Sequence, residues 1–158
     1  MASGVIKSNL YTAGQQAKSV YPGTESPVYG QLVIPANTSF QSTTTADRLW
    51  LFDFPGPSSH LLGGWIDFAA LDGGNGVTFS LVDTLATPNT IVSGTTVGQA
   101  GGFLSIIGAM TVTQHGLIGY PVIYTGGIHL ELLCAHSSTN TSGASALTIN
   151  FFFSVAND

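Results

Sequence analysis

Charge is what this chain has least of. Only 3 of its 158 residues are Lys or Arg and 8 are Asp or Glu, so charged residues make up 7% of the chain. An ordinary soluble domain carries about 25%. Ser, Thr and amide side chains must therefore supply most of the polar surface, which suits a protein packed against neighbours better than a freely diffusing monomer. The few charges are also unevenly placed. Residues 1–24 hold Lys7 and Lys18 and no acid, +2; the rest holds Arg48 and all 8 acids, −7; together they give the net −5. With a single Arg and no Lys in the body, the clustered cations that bind phosphates are missing, and nucleic acid is not an expected partner.

Cysteine is nearly absent as well. Cys134 stands alone, which excludes an intrachain disulfide and a cysteine-based metal cluster. It shares the parity of Ile128, Leu130 and Leu132 in "IHLELLCA", the position of a small buried hydrophobe. Long apolar runs are missing too. "GFLSIIGAM" and "GLIGYPVIY" are broken by Gly or Pro and fall short of the ~20 residues that span a bilayer, so no membrane partner is expected. "MASGVIKSNL" has no apolar h-region, so the expectation is synthesis in the cytoplasm without an export signal. No window combines helical periodicity with caps and good helix formers, although "TTVGQAGGFLSIIGAM" leaves room for one helical turn.

What is present is strand grammar. Residues 1–27 show no sustained period and are rich in Gly, Ser, Pro and amides, which reads as an extended N-terminal arm. At ~3.3 Å per residue such an arm reaches at most roughly 90 Å. It has the length either to bridge to a neighbouring molecule or to fold back over its own body. Residues 28–158 read as one β-sandwich domain of about eight strands: 28–34, 47–54, 61–70, 76–83, 90–97, 103–113, 120–125, 127–135 and 145–155 are the candidate segments. The fold class is all-β: an antiparallel β-sandwich, jelly-roll-like, with the arm attached, and a Greek-key sandwich of another strand order is the second reading. In the last segment, "ALTINFFFSVA" is apolar or aromatic on both faces. Continuous apolarity implies cover on both sides, the core on one and a partner subunit on the other. Phe151 and Phe153 are accordingly placed at a subunit interface.

The stretch "GGWIDFAALDGGNGVTFSLVDT" reads as a hairpin whose acids mark its turn and edges. A calcium loop needs several oxygens at alternate spacing and a closing Glu; only Asp72 and Asn75 fit, and no Glu follows. Asp67, Asp83 and Glu131 are the acids that a glycosidase pair would draw on, but nothing local supports one. His129 and Glu131 share a strand face and offer zinc two ligands, with His115 or His136 as a third; a hydrogen-bonded interface pair is the commoner use of that spacing. His60 reads as a loop residue. There is no Gly-x-Ser-x-Gly and no P-loop. The expectation is no catalytic residue, no metal and no cofactor: not an enzyme.

In their order along the chain, "LVIPANTSF", "ADRLWLFDFP", "LLGGWIDFAALDGGNGVTFSLVD", "IVSGTTVGQAGG", "GYPVIYTGGIHLELLCA" and "SGASALTINFFFSVAND" resemble the head decoration (cement) proteins of tailed bacteriophages. The resemblance implies a jelly-roll-like sandwich, commonly a homotrimer, seated on the outer surface of a capsid lattice of HK97-type major capsid protein. It carries over no catalytic or metal residue. On that expectation the arm, with Val5, Ile6, Lys7, Leu10, Tyr11, Lys18, Val20 and Tyr21, lies across a neighbour, and its lysines meet capsid acids. Removing residues 1–24 would then leave the sandwich folded and weaken attachment. The alternative is a carbohydrate- or receptor-binding sandwich, such as a phage fibre tip, with Trp50 or Trp65 as its ligand platform.

Overall fold

Alternating apolar residues and turn-forming Gly, Pro and Asn dictate short pleated strands, and two such faces can hide only against each other. The computed structural model describes residues 5–12, 25–40, 47–54, 58–71, 76–106, 124–136, 140–141 and 145–157. In chain order the elements are β1 (Ile6–Lys7), α1 (Asn9–Thr12), β2 (Glu25–Ile34), β3 (Ser39–Phe40), β4 (Asp47–Asp53), β5 (Ser59–Phe68), β6 (Val77–Asp83), β7 (Thr90–Thr95), α2 (Val97–Ala100), β8 (Gly102–Ser105), β9 (His129–His136), β10 (Asn140–Thr141) and β11 (Leu147–Asn157). The candidate segment 120–125 lies outside the described residues except for Tyr124, and so does most of 103–113 beyond β8.

Two sheets form the sandwich, ordered β1-β4-β9-β6-β7 and β2-β11-β5-β8; β3 and β10 make a small ribbon. Apart from β6–β7, successive long strands alternate between the sheets, which is the winding of an eight-stranded jelly roll. The long pairings are antiparallel, and β1 joins β4 in parallel. One expectation is corrected here. Residues 63–84 are not a hairpin: β5 pairs with β11 and β8, whereas β6 pairs with β7 and β9. Both strands need cover for a core face, and crossing from sheet to sheet lets Ile66 and Phe68 meet Phe79 and Leu81 across the interior. Residues 72–75 of the connection are outside the described set. His60 lies within β5 rather than in a loop.

The core is aromatic and aliphatic: Phe52, Phe54, Phe79, Phe151 and Phe153 are among its largest fully buried side chains. Cys134 is buried there as a free thiol. The pleat of β11 sends Ile149, Phe151, Phe153 and Val155 inward, each at most 1% exposed. Phe151 and Phe153 are thus core residues, not interface residues, and Phe152 between them faces outward by the period of two. Gly30 lies directly opposite Phe151 in the β2–β11 ladder. A Cβ at Gly30 would come within 2.1 Å of the Phe151 ring. Gly30→Val is therefore expected to lower unfolding stability by about 1–3 kcal/mol or more through overpacking. Denaturant unfolding of the two proteins measures it, and an unchanged midpoint contradicts this packing.

Candidate interaction surfaces

Two surfaces bring together side chains that the core does not use. The first is the edge of the sandwich where β4 of one sheet approaches β2 of the other. Residues 5–12 lie along it as a strap. Ile6 and Lys7 pair with Leu49 and Trp50, and the Ser8 amide donates to the Trp50 carbonyl at 3.0 Å. The buried Ser8 hydroxyl donates to the Leu51 carbonyl. Asn9 Oδ1 accepts the Gln31 amide at 2.8 Å, which ties the strap to β2. Leu10 is 6% exposed and belongs to the core cluster. Of the arm residues named from the sequence, Ile6, Leu10 and Tyr11 pack on the chain's own sandwich, Val5 remains exposed, and Lys18, Val20 and Tyr21 lie outside the described residues.

Beneath the strap sits a small cluster of polar and charged side chains, Asp53, His129, Glu131 and Arg48. Tyr11 Oη donates to Asp53 Oδ1 at 2.7 Å, and His129 Nδ1 lies 3.9 Å from the same oxygen. His129 Nε2 approaches Glu131 Oε2 at 3.4 Å, and Arg48 approaches Glu131 Oε1 at 3.4 Å. Lys7 Nζ stands 4.4 Å above the Trp50 ring, a cation–π contact. The Trp50 and His129 rings are 4.2 Å apart. Trp50 is thus half-buried, with Lys7, Tyr11 and His129 packed against its ring. Glu131 is almost fully buried. Its Oε2, His129 Nε2 and Trp50 Nε1 make no hydrogen bond. His129 and Glu131 do come together, as ion-pair neighbours of Arg48 and Asp53. Among the described residues no group of three or more His, Cys, Asp or Glu is arranged to hold a metal. His115 and the His136 side chain are outside that set.

The remaining acids are separated. Asp83 is buried at the end of β6, where its carboxylate accepts from Asn89 N at 2.9 Å, Asn89 Nδ2 at 2.7 Å and Tyr124 Oη at 3.1 Å. These bonds hold the β6–β7 connection. Asp67 lies on the other sheet, exposed. Asp83 and Glu131 are on paired strands, but Glu131 stands opposite Val82 and Asp83 opposite Leu130, so the period of two sends the two carboxylates to opposite faces.

The second surface is the outward face of β2-β11-β5-β8. Tyr29, Phe152 and Trp65 are direct cross-strand neighbours there. Ring centroids are 4.8 Å apart for Tyr29–Phe152, 6.0 Å for Phe152–Trp65 and 5.5 Å for Trp65–Phe103. Tyr29 is 65% and Phe103 61% exposed, with Val33 and Leu62 at 50%. Sequence reasoning singled out Trp65, with Tyr29 among the other candidate aromatics, but missed Phe152 and Phe103. The signal was the middle Phe of Phe151-Phe152-Phe153, which the period of two assigns to the side opposite its neighbours.

No known protein-family model matches the chain, and no curated protein sequence is significantly similar to it. Its fold is shared with solved structures. A chain of the capsid of Ralstonia phage GP4 aligns with a TM-score of 0.64 and 15% identity, covering 98% of this chain and 99% of that one. A chain of the cyanophage Pam1 capsid asymmetric unit aligns with a TM-score of 0.53 and 17% identity, over 91% and 96% of the two chains. At these identities the likeness is one of fold.

Burial, and then the hydrogen bond to Asp53 and the nearby carboxylates, raise the Tyr11 phenol well above its ordinary value of about 10. A raised folded-state value means that the contribution is complete below about pH 10 and is lost as pH climbs from there toward the folded value. Wild-type stability is therefore expected to fall above about pH 10, and more steeply than that of Tyr11→Phe. At neutral pH the variant should lose about 1 kcal/mol or more, the hydrogen bond having a charged acceptor. Thermal unfolding as a function of pH reads both, and identical alkaline slopes would refute the assignment.

Proposed function

We propose that this chain is a structural protein of a tailed-phage head, a decoration (cement) protein that attaches to the outer surface of an HK97-type major capsid lattice as a homotrimer. Its role on this reading is assembly and stabilisation, not catalysis. The observation that carries the proposal is the end-to-end fold likeness to a chain of the capsid of Ralstonia phage GP4, at 98% and 99% coverage. The likeness runs over nearly the full length of both aligned chains. One physical feature supports it: the 7% charge content, which suits a protein packed against neighbours. The resemblance of its segment order to decoration proteins supports the specific role.

The mechanism is mass action. A protein that binds the assembled lattice and not its dissociated subunits stabilises the lattice by its binding free energy. An oligomer that touches several capsomers at once gains retention by multivalency, even when each contact is modest. The structure changes where the arm's contribution is sought. Leu10 belongs to the core, so deleting residues 1–24 would open the sandwich edge and confound binding with stability. Val5, Lys7 and Asn9 are exposed on the strap, and of these Asn9 is tied to β2 through Gln31.

The full chain should co-sediment with empty heads that lack it and raise their melting temperature. Val5→Asp combined with Lys7→Glu should weaken attachment by about tenfold or more while leaving the far-UV spectrum unchanged. A wild-type chain that does not pellet with such heads sinks the proposal. A double variant that decorates normally removes the strap from the contact.

A further inference from the structure

We propose a second binding site: the outward face of β2-β11-β5-β8 binds neutral glycan chains. Two rows cross this face side by side. The first is the aromatic row of Tyr29, Phe152 and Trp65, continued diagonally by Phe103. The second lies two residues further along the same strands, where Gln31, Asn150 and Asp67 are cross-strand neighbours. Residues two apart on a strand point the same way, roughly 7 Å apart. Tyr29, Phe152 and Trp65 therefore run parallel to Gln31, Asn150 and Asp67, and Phe103, opposite Asp67 on β8, closes the end of the polar row. That combination matches the chemistry of a sugar: the C–H surface of a pyranose packs on an aromatic group, and its hydroxyls, each donor and acceptor, turn to the adjoining polar strip.

The polar row has capacity to spare. Gln31 Nε2 donates to Asn150 Oδ1 at 3.0 Å, which leaves the Gln31 carbonyl and the Asn150 amino group available. Asp67 has no ion-pair or hydrogen-bond partner among the described residues and stands exposed. A second protein surface packed on the aromatic row would take these groups from water and would have to satisfy each of them. A glycan carries the matching donors and acceptors along its length. Charge selects a neutral chain: Asp67 on the face and the net −5 of the molecule both repel acidic polysaccharides. The row spans three strands and reaches Phe103 on the fourth, which suits an oligosaccharide rather than a single sugar. Trp50, the other tryptophan, lies under the strap in the opposite sheet and takes no part.

The inference does not depend on capsid attachment, and the isolated full chain tests it. Native affinity electrophoresis is run through gels containing dextran, galactomannan, xyloglucan or mixed-linkage β-glucan, with hyaluronan as the acidic control. At least one neutral polysaccharide should retard the protein and hyaluronan should not. Trp65→Ala and Asp67→Ala should each weaken retardation by about tenfold or more, with unfolding midpoints confirming the fold; Trp50→Phe should leave it unchanged. Should Trp65→Ala fail to fold, Asp67→Ala and Phe103→Ser, both at exposed positions, carry the test. No retardation by any neutral polysaccharide overturns the proposal, as does retardation that survives the Asp67 and Phe103 changes. An oligomer in sedimentation equilibrium that Phe103→Ser dissociates also overturns it, because the face is then a contact between copies.

Discussion

The pleat of β11 is the constraint on which the rest of the molecule depends. This strand pairs along nearly its whole length with β2 on one side and β5 on the other, so its register sets both neighbours. A slip of one residue would send every side chain to the wrong face. In the observed register Phe151 and Phe153 fill the core, and Phe152 joins Tyr29 and Trp65 outside. Gly30 is the counterpart of this arrangement, since the Phe151 ring occupies the space where its side chain would stand. One strand thus supplies the interior of the sandwich and the centre of its exposed aromatic row.

The strap closes the sandwich at the edge that β4 and β2 leave open. Backbone pairing with β4, the Asn9 bond to β2 and Leu10 in the core give residues 5–12 three independent holds. Below it Arg48, Glu131, His129 and Asp53 form a chain of neighbours, each within 4 Å of the next. Partial burial makes such contacts consequential, because removing one partner strands the other away from water. Of these, Asp53 helps to fix the N-terminal segment through Tyr11. The opposite sheet presents aromatic and amide groups to the outside instead.

Much of the architecture was legible in the chain. Period-two alternation located β2, β4, β5, β6, β7, β9 and β11 within a few residues, and the absence of helical windows set the fold class. The 63–84 stretch shows where that legibility stops. Two alternating segments around a glycine-rich connection look alike whether the strands pair or part, because local pattern records which side is apolar and not which neighbour a strand takes. The strap was illegible for a related reason. Two residues of pairing and one buried leucine leave no period to detect, and their stability comes from partners 40 or so positions away, as in Tyr11–Asp53.

Alternation, composition and turn residues by themselves determined an all-β sandwich with a buried Cys134 and little ionic surface, since each follows from local side-chain chemistry. Only the tertiary structure decided that Phe151 and Phe153 are interior, that Trp50 packs against the strap while Trp65 joins an aromatic row on the other sheet, and that Asp67 lies on a different sheet from Asp83 and Glu131. Those outcomes rest on strand order and register, and pairing between distant segments is chosen by the packing of the whole core.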